Sequence, residues 1–216
     1  MKIKICGMKY RENIAEVTML HPDFIGFNFY NRSSRYVGNN FEKKLPDQLG
    51  KNVKRVGVFV NSRKQKILET VHSYQLSYVQ LHGNESPEFC NDLSEKVSVI
   101  KAFGIDETFS FNHLSAYEAA CELFVFDTAT KKYGGSGTSY NWNLLSRYKG
   151  NTPYLLSGGI GPTDLNKINN HRQLLNDTHC IGLDLNSKFE LEPALKNVHT
   201  LKEFLNQLKN ENTIIK

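Results

Sequence analysis

Eight short apolar runs recur along this chain, spaced too widely for hairpins, and that recurrence limits the possible folds more than any other feature. Residues 2–5, 24–29, 53–60, 77–81, 97–102, 123–126, 154–156 and 181–185 read as strands. The segments between them are long enough for crossover connections, which makes neighbouring strands parallel. The runs are consecutively apolar rather than strictly alternating, as expected of strands covered on both faces. An open, doubly wound sheet is the competing arrangement, but a count of eight favours closure into an α/β fold, the (β/α)8 barrel. The 216 residues fit the roughly 200–250 that such a barrel usually takes. No linker or low-complexity stretch divides them. Residues 1–210 are expected to form one domain, with 211–216 a frayed tail.

Helices are expected over residues 13–20, 64–72 and 195–208. Ser62 is the anticipated N-cap of the second. Ser86 followed by Pro87 marks another helix start, with serine at N-cap and proline at N1.

Apolar residues make up 39% and charged residues 23% of the chain, a balance that excludes wholesale disorder. Its 27 basic and 22 acidic residues leave a net charge of +5. The basic residues are scattered, densest at 51–55 and 63–66, which is not the footprint of a nucleic-acid binder. A mild positive balance suits a small anionic substrate. The cysteines Cys6, Cys90, Cys121 and Cys180 form no CxxC pair, so neither a structural zinc nor a disulfide framework is expected. Reduced thiols point to a cytoplasmic compartment. The N-terminal apolar run is too short for a signal peptide, and no stretch approaches the ~20 residues that span a bilayer. A soluble protein with no membrane partner is expected.

In such a barrel the chemistry gathers where strands end. The first strand ends in Ile5-Cys6-Gly7, the fourth in Gln80-Leu81-His82-Gly83, and the sixth in Phe126-Asp127-Thr128. The seventh ends in Ser157-Gly158-Gly159-Ile160-Gly161 and the eighth in Leu183-Asp184-Leu185-Asn186-Ser187. The second runs into a stretch holding Arg32 and Arg35. Cys6 is either a buried small hydrophobe or a reagent. Asp127 is either a helix cap or a reagent, and the glycine-rich segment after it delays the next helix to about Trp142, which argues against a cap. Gly158 and Gly159 can bare their backbone N–H groups to an anion or simply form a turn.

Lys4-Ile5-Cys6-Gly7, Arg35-Tyr36, residues 56–61 (Val-Gly-Val-Phe-Val-Asn), Gln80-Leu81-His82-Gly83, Asp127 with Tyr133-Gly134-Gly135-Ser136-Gly137, and Leu156-Ser157-Gly158-Gly159 occur in this order. On these motifs, from Lys4 to about Glu190, the chain resembles the phosphoribosylanthranilate isomerases of tryptophan biosynthesis. The resemblance implies an Amadori rearrangement of a small phosphorylated aminosugar, N-(5-phosphoribosyl)anthranilate, with no metal and no cofactor. It implies Asp127 as general acid on the ring oxygen and Cys6 as general base at C2. Arg35 is implied for the anthranilate, with Arg32 its rival, while His82 lines the pocket and Asp184 either orients sugar hydroxyls or holds the strand-eight loop. Gly135, Ser136, Gly158, Gly159, Asn186, Ser187 and Lys188 are implied for the phosphate, the last three at the start of a short extra helix. Lys188 departs from the family, which usually carries glycine there.

Other phosphosugar barrels are rivals. An epimerase would need a His/Asp metal set at the strand ends, and a histidine-pathway aminoaldose isomerase would carry a carboxylate where Cys6 stands. A non-catalytic phosphate-binding barrel would not need Cys6 and Asp127 together. A monomer is expected, a homodimer being the alternative.

Overall fold

The computed structural model of the chain describes residues 1–39, 41, 52–129, 140–175 and 179–214. Eight strands, β1 (Lys2–Ile5), β2 (Phe24–Asn28), β3 (Lys54–Phe59), β4 (Tyr78–Leu81), β5 (Ser98–Ile105), β6 (Leu123–Thr128), β7 (Tyr154–Leu156) and β8 (Cys180–Leu185), form a closed barrel in chain order. Every neighbouring pair is parallel, and β1 completes the ring by pairing with β8, Lys2 opposite Gly182 and Ile5 opposite Leu185. That seam is tight: a Cβ added to Gly182 would lie 2.1 Å from the Lys2 carbonyl oxygen. Gly182 is required there because backbone, unlike a flexible side chain, cannot yield.

Most strands carry apolar residues on both faces because two cores use them. Phe24, Val56, Ile100, Ala102, Leu123, Val125 and Leu155 fill the inside of the barrel. A larger cluster outside packs the strands against the surrounding helices through residues such as Phe27, Phe59, Phe103, Phe124 and Phe126. This layered filling makes the barrel a packed core, and leaves the carboxyl-terminal rim as the place where polar side chains enter.

The crossovers include α1 (Arg11–Thr18), α2 (Lys64–Tyr74), α3 (Pro87–Ser94) and α4 (Leu165–Leu175), and α5 (Val198–Ile214) closes the chain, running past the boundary expected at residue 210. The Ser86 hydroxyl caps α3 by accepting from the Phe89 N–H at 3.3 Å, with Pro87 behind it. Ser62 does not cap α2: the N-cap position is Arg63, without a side-chain cap. The crossovers after β5 and β6 are 3-10 segments, Phe111–Tyr117 and Trp142–Arg147, rather than full helices. In both, a serine hydroxyl donates to a carbonyl three residues back (Ser115 to Asn112, Ser146 to Asn143), a bond that competes with regular helix.

The last helix starts later than expected. Leu195 and Lys196 form a short strand, β10, paired antiparallel with β9 (Glu190–Glu192). Asn13 holds this turn from α1: its amide bonds both the N–H and the carbonyl of Lys196, at 2.7 and 2.9 Å. Asn197 then caps α5 through the Thr200 N–H.

Candidate active site

Each strand end delivers its side chain by alternation. The Cys6 N–H bonds the Leu185 carbonyl at 2.9 Å, so the β1–β8 ladder continues one step past Ile5. Cys6 therefore faces the same side as Lys4, into the barrel. Gly26 on β2 makes the room: a Cβ there would come within 2.7 Å of the Cys6 sulfur. The His82 and Ser157 N–H groups likewise bond the Phe59 and Phe126 carbonyls, at 2.8 and 2.9 Å. His82 thus shares its face with Gln80.

Lys4 is the electrostatic centre of this mouth. It is completely buried, its ammonium donates to both Asp184 oxygens at 3.0 and 2.8 Å, and Cys6 lies within its field. Burial works against that charge, but Asp184 and Cys6 outweigh it and raise the Lys4 pKa. The same ammonium acts on Asp127 and His82.

Burial pushes the Cys6 thiol above its ordinary 9.0, and Lys4 and Lys196 pull it part of the way back. Asp127 is also raised by burial, above its ordinary 3.8, against the opposing pull of the Thr128 N–H at 2.8 Å, Lys4 and the Ser157 hydroxyl. His82 is driven down to about 4, first by burial and then by Lys101 and Lys4, so its imidazole is neutral. Its Nε2 faces the Asp127 Oδ2 at 3.6 Å, and its Nδ1 lies 3.3 Å from the Gln80 amide nitrogen. The Asp184 carboxyl is raised by burial against the pull of Lys4. The mouth thus holds a carboxyl inclined to keep its proton, a thiol beside a fixed cation and a neutral imidazole, a set suited to proton transfer.

Of the expected substrate ligands, Arg35 is buried and lies against Gly7, where a Cβ would come within 2.6 Å of its side chain. Its Nε and Nη2 donate to Glu190, at 2.6 Å for the shortest bond. Arg32, its rival, is exposed. Glu190 also holds Lys196, whose ammonium reaches the Asn186 side-chain oxygen at 2.8 Å.

Gly158 and Gly159 both have left-handed backbone, φ +92° and +67°, and a Cβ on Gly158 would strike Thr128. Across from them lie Asn186, Ser187 and the exposed Lys188, whose side chain packs 3.4 Å from where a Cβ on Gly161 would sit. The two loops thus face each other. The extra helix expected after β8 is only a 3-10 turn, Ser187–Phe189, because the chain leaves at once into β9. A turn this short presents individual N–H groups rather than a helix dipole. Gly135 and Ser136 lie outside the described residues.

Lys4 and Gln80 were legible as candidates, each two residues before a strand-end reagent on the same face. Glu190 and Lys196 were not, since they reach the site only through the β9–β10 turn. Among the described residues, no group of three or more His, Cys, Asp and Glu side chains is placed to hold a metal ion. None of the described helices is long and apolar enough to cross a membrane.

The sequence model of the family described as "N-(5'phosphoribosyl)anthranilate (PRA) isomerase" matches residues 3–207. A relative from Parabacteroides distasonis named N-(5'-phosphoribosyl)anthranilate isomerase is 45% identical over 210 residues, covering 96% of this chain and 93% of the relative. Among solved structures, the phosphoribosyl anthranilate isomerase from Thermus thermophilus superposes with a TM-score of 0.86 at 26% identity, covering 98% of this chain and all of that one. A phosphoribosyl anthranilate isomerase in complex with reduced 1-(o-carboxyphenylamino)-1-deoxyribulose 5-phosphate gives a TM-score of 0.80 at 28% identity, covering 97% and 99% of the two chains.

Proposed function

The chain belongs to the N-(5'-phosphoribosyl)anthranilate isomerase family, and from that membership we infer the chemistry of its barrel mouth. It is an isomerase of tryptophan biosynthesis. It converts N-(5-phosphoribosyl)anthranilate to 1-(2-carboxyphenylamino)-1-deoxyribulose 5-phosphate by an Amadori rearrangement.

In our assignment, Asp127 gives its proton to the ring oxygen as the C1–O bond breaks, leaving a protonated Schiff base between C1 and the aniline nitrogen. Cys6 then removes the C2 proton, which the iminium has made acidic, and the enolamine relaxes to the aminoketose. The substrate is its own electron sink. The observation that carries this reading is that Cys6 and Asp127 both stand at strand ends of the barrel mouth, the sulfur on the face of Lys4 and the carboxyl 3.6 Å from the His82 Nε2. Burial raises the Asp127 pKa and so favours the protonated acid. Lys4 favours the thiolate that a buried sulfur would otherwise resist forming.

The phosphate, on this reading, sits between the Gly158–Gly159 turn and the Asn186–Lys188 segment, with Gly135 and Ser136 as further donors. The unused edge of the Arg35 guanidinium serves the anthranilate carboxylate, while His82 and Asp184 line the sugar. We place the enzyme in the cytoplasm, in keeping with its four free, buried cysteines. We propose that it acts as a monomer: among the described residues, the large apolar side chains left exposed are Met1, Tyr10, Met19 and Leu191.

The decay of substrate fluorescence on freshly prepared phosphoribosylanthranilate tests the roles. Cys6→Ser and Asp127→Asn are each expected to lower kcat by about 10²–10⁴-fold with an unchanged circular-dichroism spectrum. Near-wild-type turnover in either variant removes that residue from its role. Sedimentation equilibrium on the same preparation should return the mass of one chain, and the mass of two would overturn the monomer.

A further inference from the structure

Gln80 is a buried polar residue that the chemistry above leaves without a purpose. It is 1% exposed, sits on β4 inside the barrel, and lies two residues before His82 on the same face. Its amide nitrogen is 3.3 Å from the His82 Nδ1, while its amide oxygen is buried without a hydrogen-bond partner among the described residues. A buried amide that leaves an acceptor unmet is kept for something its other end does.

That other end decides which nitrogen of His82 carries the proton. His82 is neutral, so one ring nitrogen donates and the other accepts. With the amide N–H donating to Nδ1, the proton must sit on Nε2, and Nε2 faces the Asp127 carboxyl at 3.6 Å. Such a separation is longer than a hydrogen bond, and distances of this kind in an empty site close when the substrate arrives. We propose that Gln80 is a positioning residue for the isomerase reaction, fixing His82 as the Nε2–H tautomer so that this N–H meets the carboxylate formed when Asp127 releases its proton. This rests on the reading of Asp127 as the general acid.

The proton balance is simple. Asp127 passes its proton to the ring oxygen, which keeps the electron pair of the breaking C1–O bond. The negative charge then appears on Asp127, in a buried place where a preoriented donor counts for most. His82 neither gains nor loses a proton. The opposite tautomer would aim a lone pair at the new carboxylate and repel it.

The test labels histidine with 15N and reads the ring-nitrogen shifts of His82, identified by the signals lost in His82→Asn. In the wild type, Nδ1 should show the shift of an unprotonated nitrogen and Nε2 that of an N–H. Gln80→Glu supplies only acceptors, so it should move the proton to Nδ1. It should lower kcat about tenfold or more while leaving KM within about twofold, a split that general loosening of the pocket would not give. A wild-type proton on Nδ1 overturns the proposal, and so does a Gln80→Glu enzyme whose proton moves while kcat stays unchanged. The wild-type spectrum alone decides the matter should Gln80→Glu fail to fold. The spectrum does not depend on what Asp127 does, so a failed acid assignment, seen in Asp127→Asn turnover, is separable from a failed tautomer.

Discussion

Lys4 shows how one residue organises a mouth that chemistry alone would make unfavourable. An ammonium with no exposed surface is tolerated because both Asp184 oxygens accept from it. Replacing either partner changes both stability and reactivity, which makes clean tests scarce. Gly26 provides one. A methyl group added there meets the Cys6 sulfur at 2.7 Å without touching a charge. Gly26→Ala is expected to displace the sulfur and cost about 10²-fold in kcat, the order seen when a reacting group moves by an ångström. Steady-state kinetics with a thermal melt would separate this from collapse; a variant of normal melting temperature and normal kcat contradicts the placement of the thiol. That Cys6 and Asp127 stand at strand ends was readable from sequence, because each directly follows a run that read as a strand. The room that Cys6 needs was not readable, since it depends on which residue of β2 lies opposite.

At the scale of elements, the segment following β8 does what the sequence did not announce. A short extra helix was expected to begin at Asn186–Lys188, but a single 3-10 turn leads into a two-stranded hairpin that brings Glu190 back under Arg35. The cause is Asn13, a polar residue buried in α1, which holds the Lys196 backbone and so postpones α5. Neither partner is close to the other in sequence, so no local pattern reveals the bond. Glu190 then neutralises Arg35 and Lys196 together, and its pKa is lowered because these two cations outweigh the cost of its burial. Glu190→Gln should leave two buried cations without their anion and destabilise the fold by about 3–5 kcal/mol, measurable by urea denaturation. The KM should rise as Arg35 loses its support. A change below about 1 kcal/mol would mean the clamp is idle. The eight strands themselves were legible to within a few residues, as β7 (Tyr154–Leu156) shows, because burial on both faces leaves so little choice of residue. The 3-10 crossovers were not, since serine–carbonyl bonds decide them locally.

For the molecule as a whole, the buried mouth sets how stability answers to pH. His82 has its pKa lowered from 6.5 to about 4, so the folded state excludes a proton that the unfolded chain accepts. That contribution is intact above about pH 6.5 and is lost as the pH falls towards 4, an effect of about 3 kcal/mol at most. Asp127 and Asp184, both raised, act in the opposite sense and gain stability on acidification. The wild type should therefore lose stability between about pH 6.5 and pH 4.5 more steeply than His82→Asn, as followed by melting temperature across that range. Parallel curves for the two proteins would show that His82 is not buried neutral.

Closure of the ring has a further consequence, in time rather than space. Asp184, the counter-charge of Lys4, is made 180 residues after it. Until the ribosome has released β8, the future centre of the mouth is a cation with nowhere dry to go, and a chain that has fallen short of that strand cannot have begun to turn over substrate. Activity should arrive all at once, late, with the last rung of the ladder.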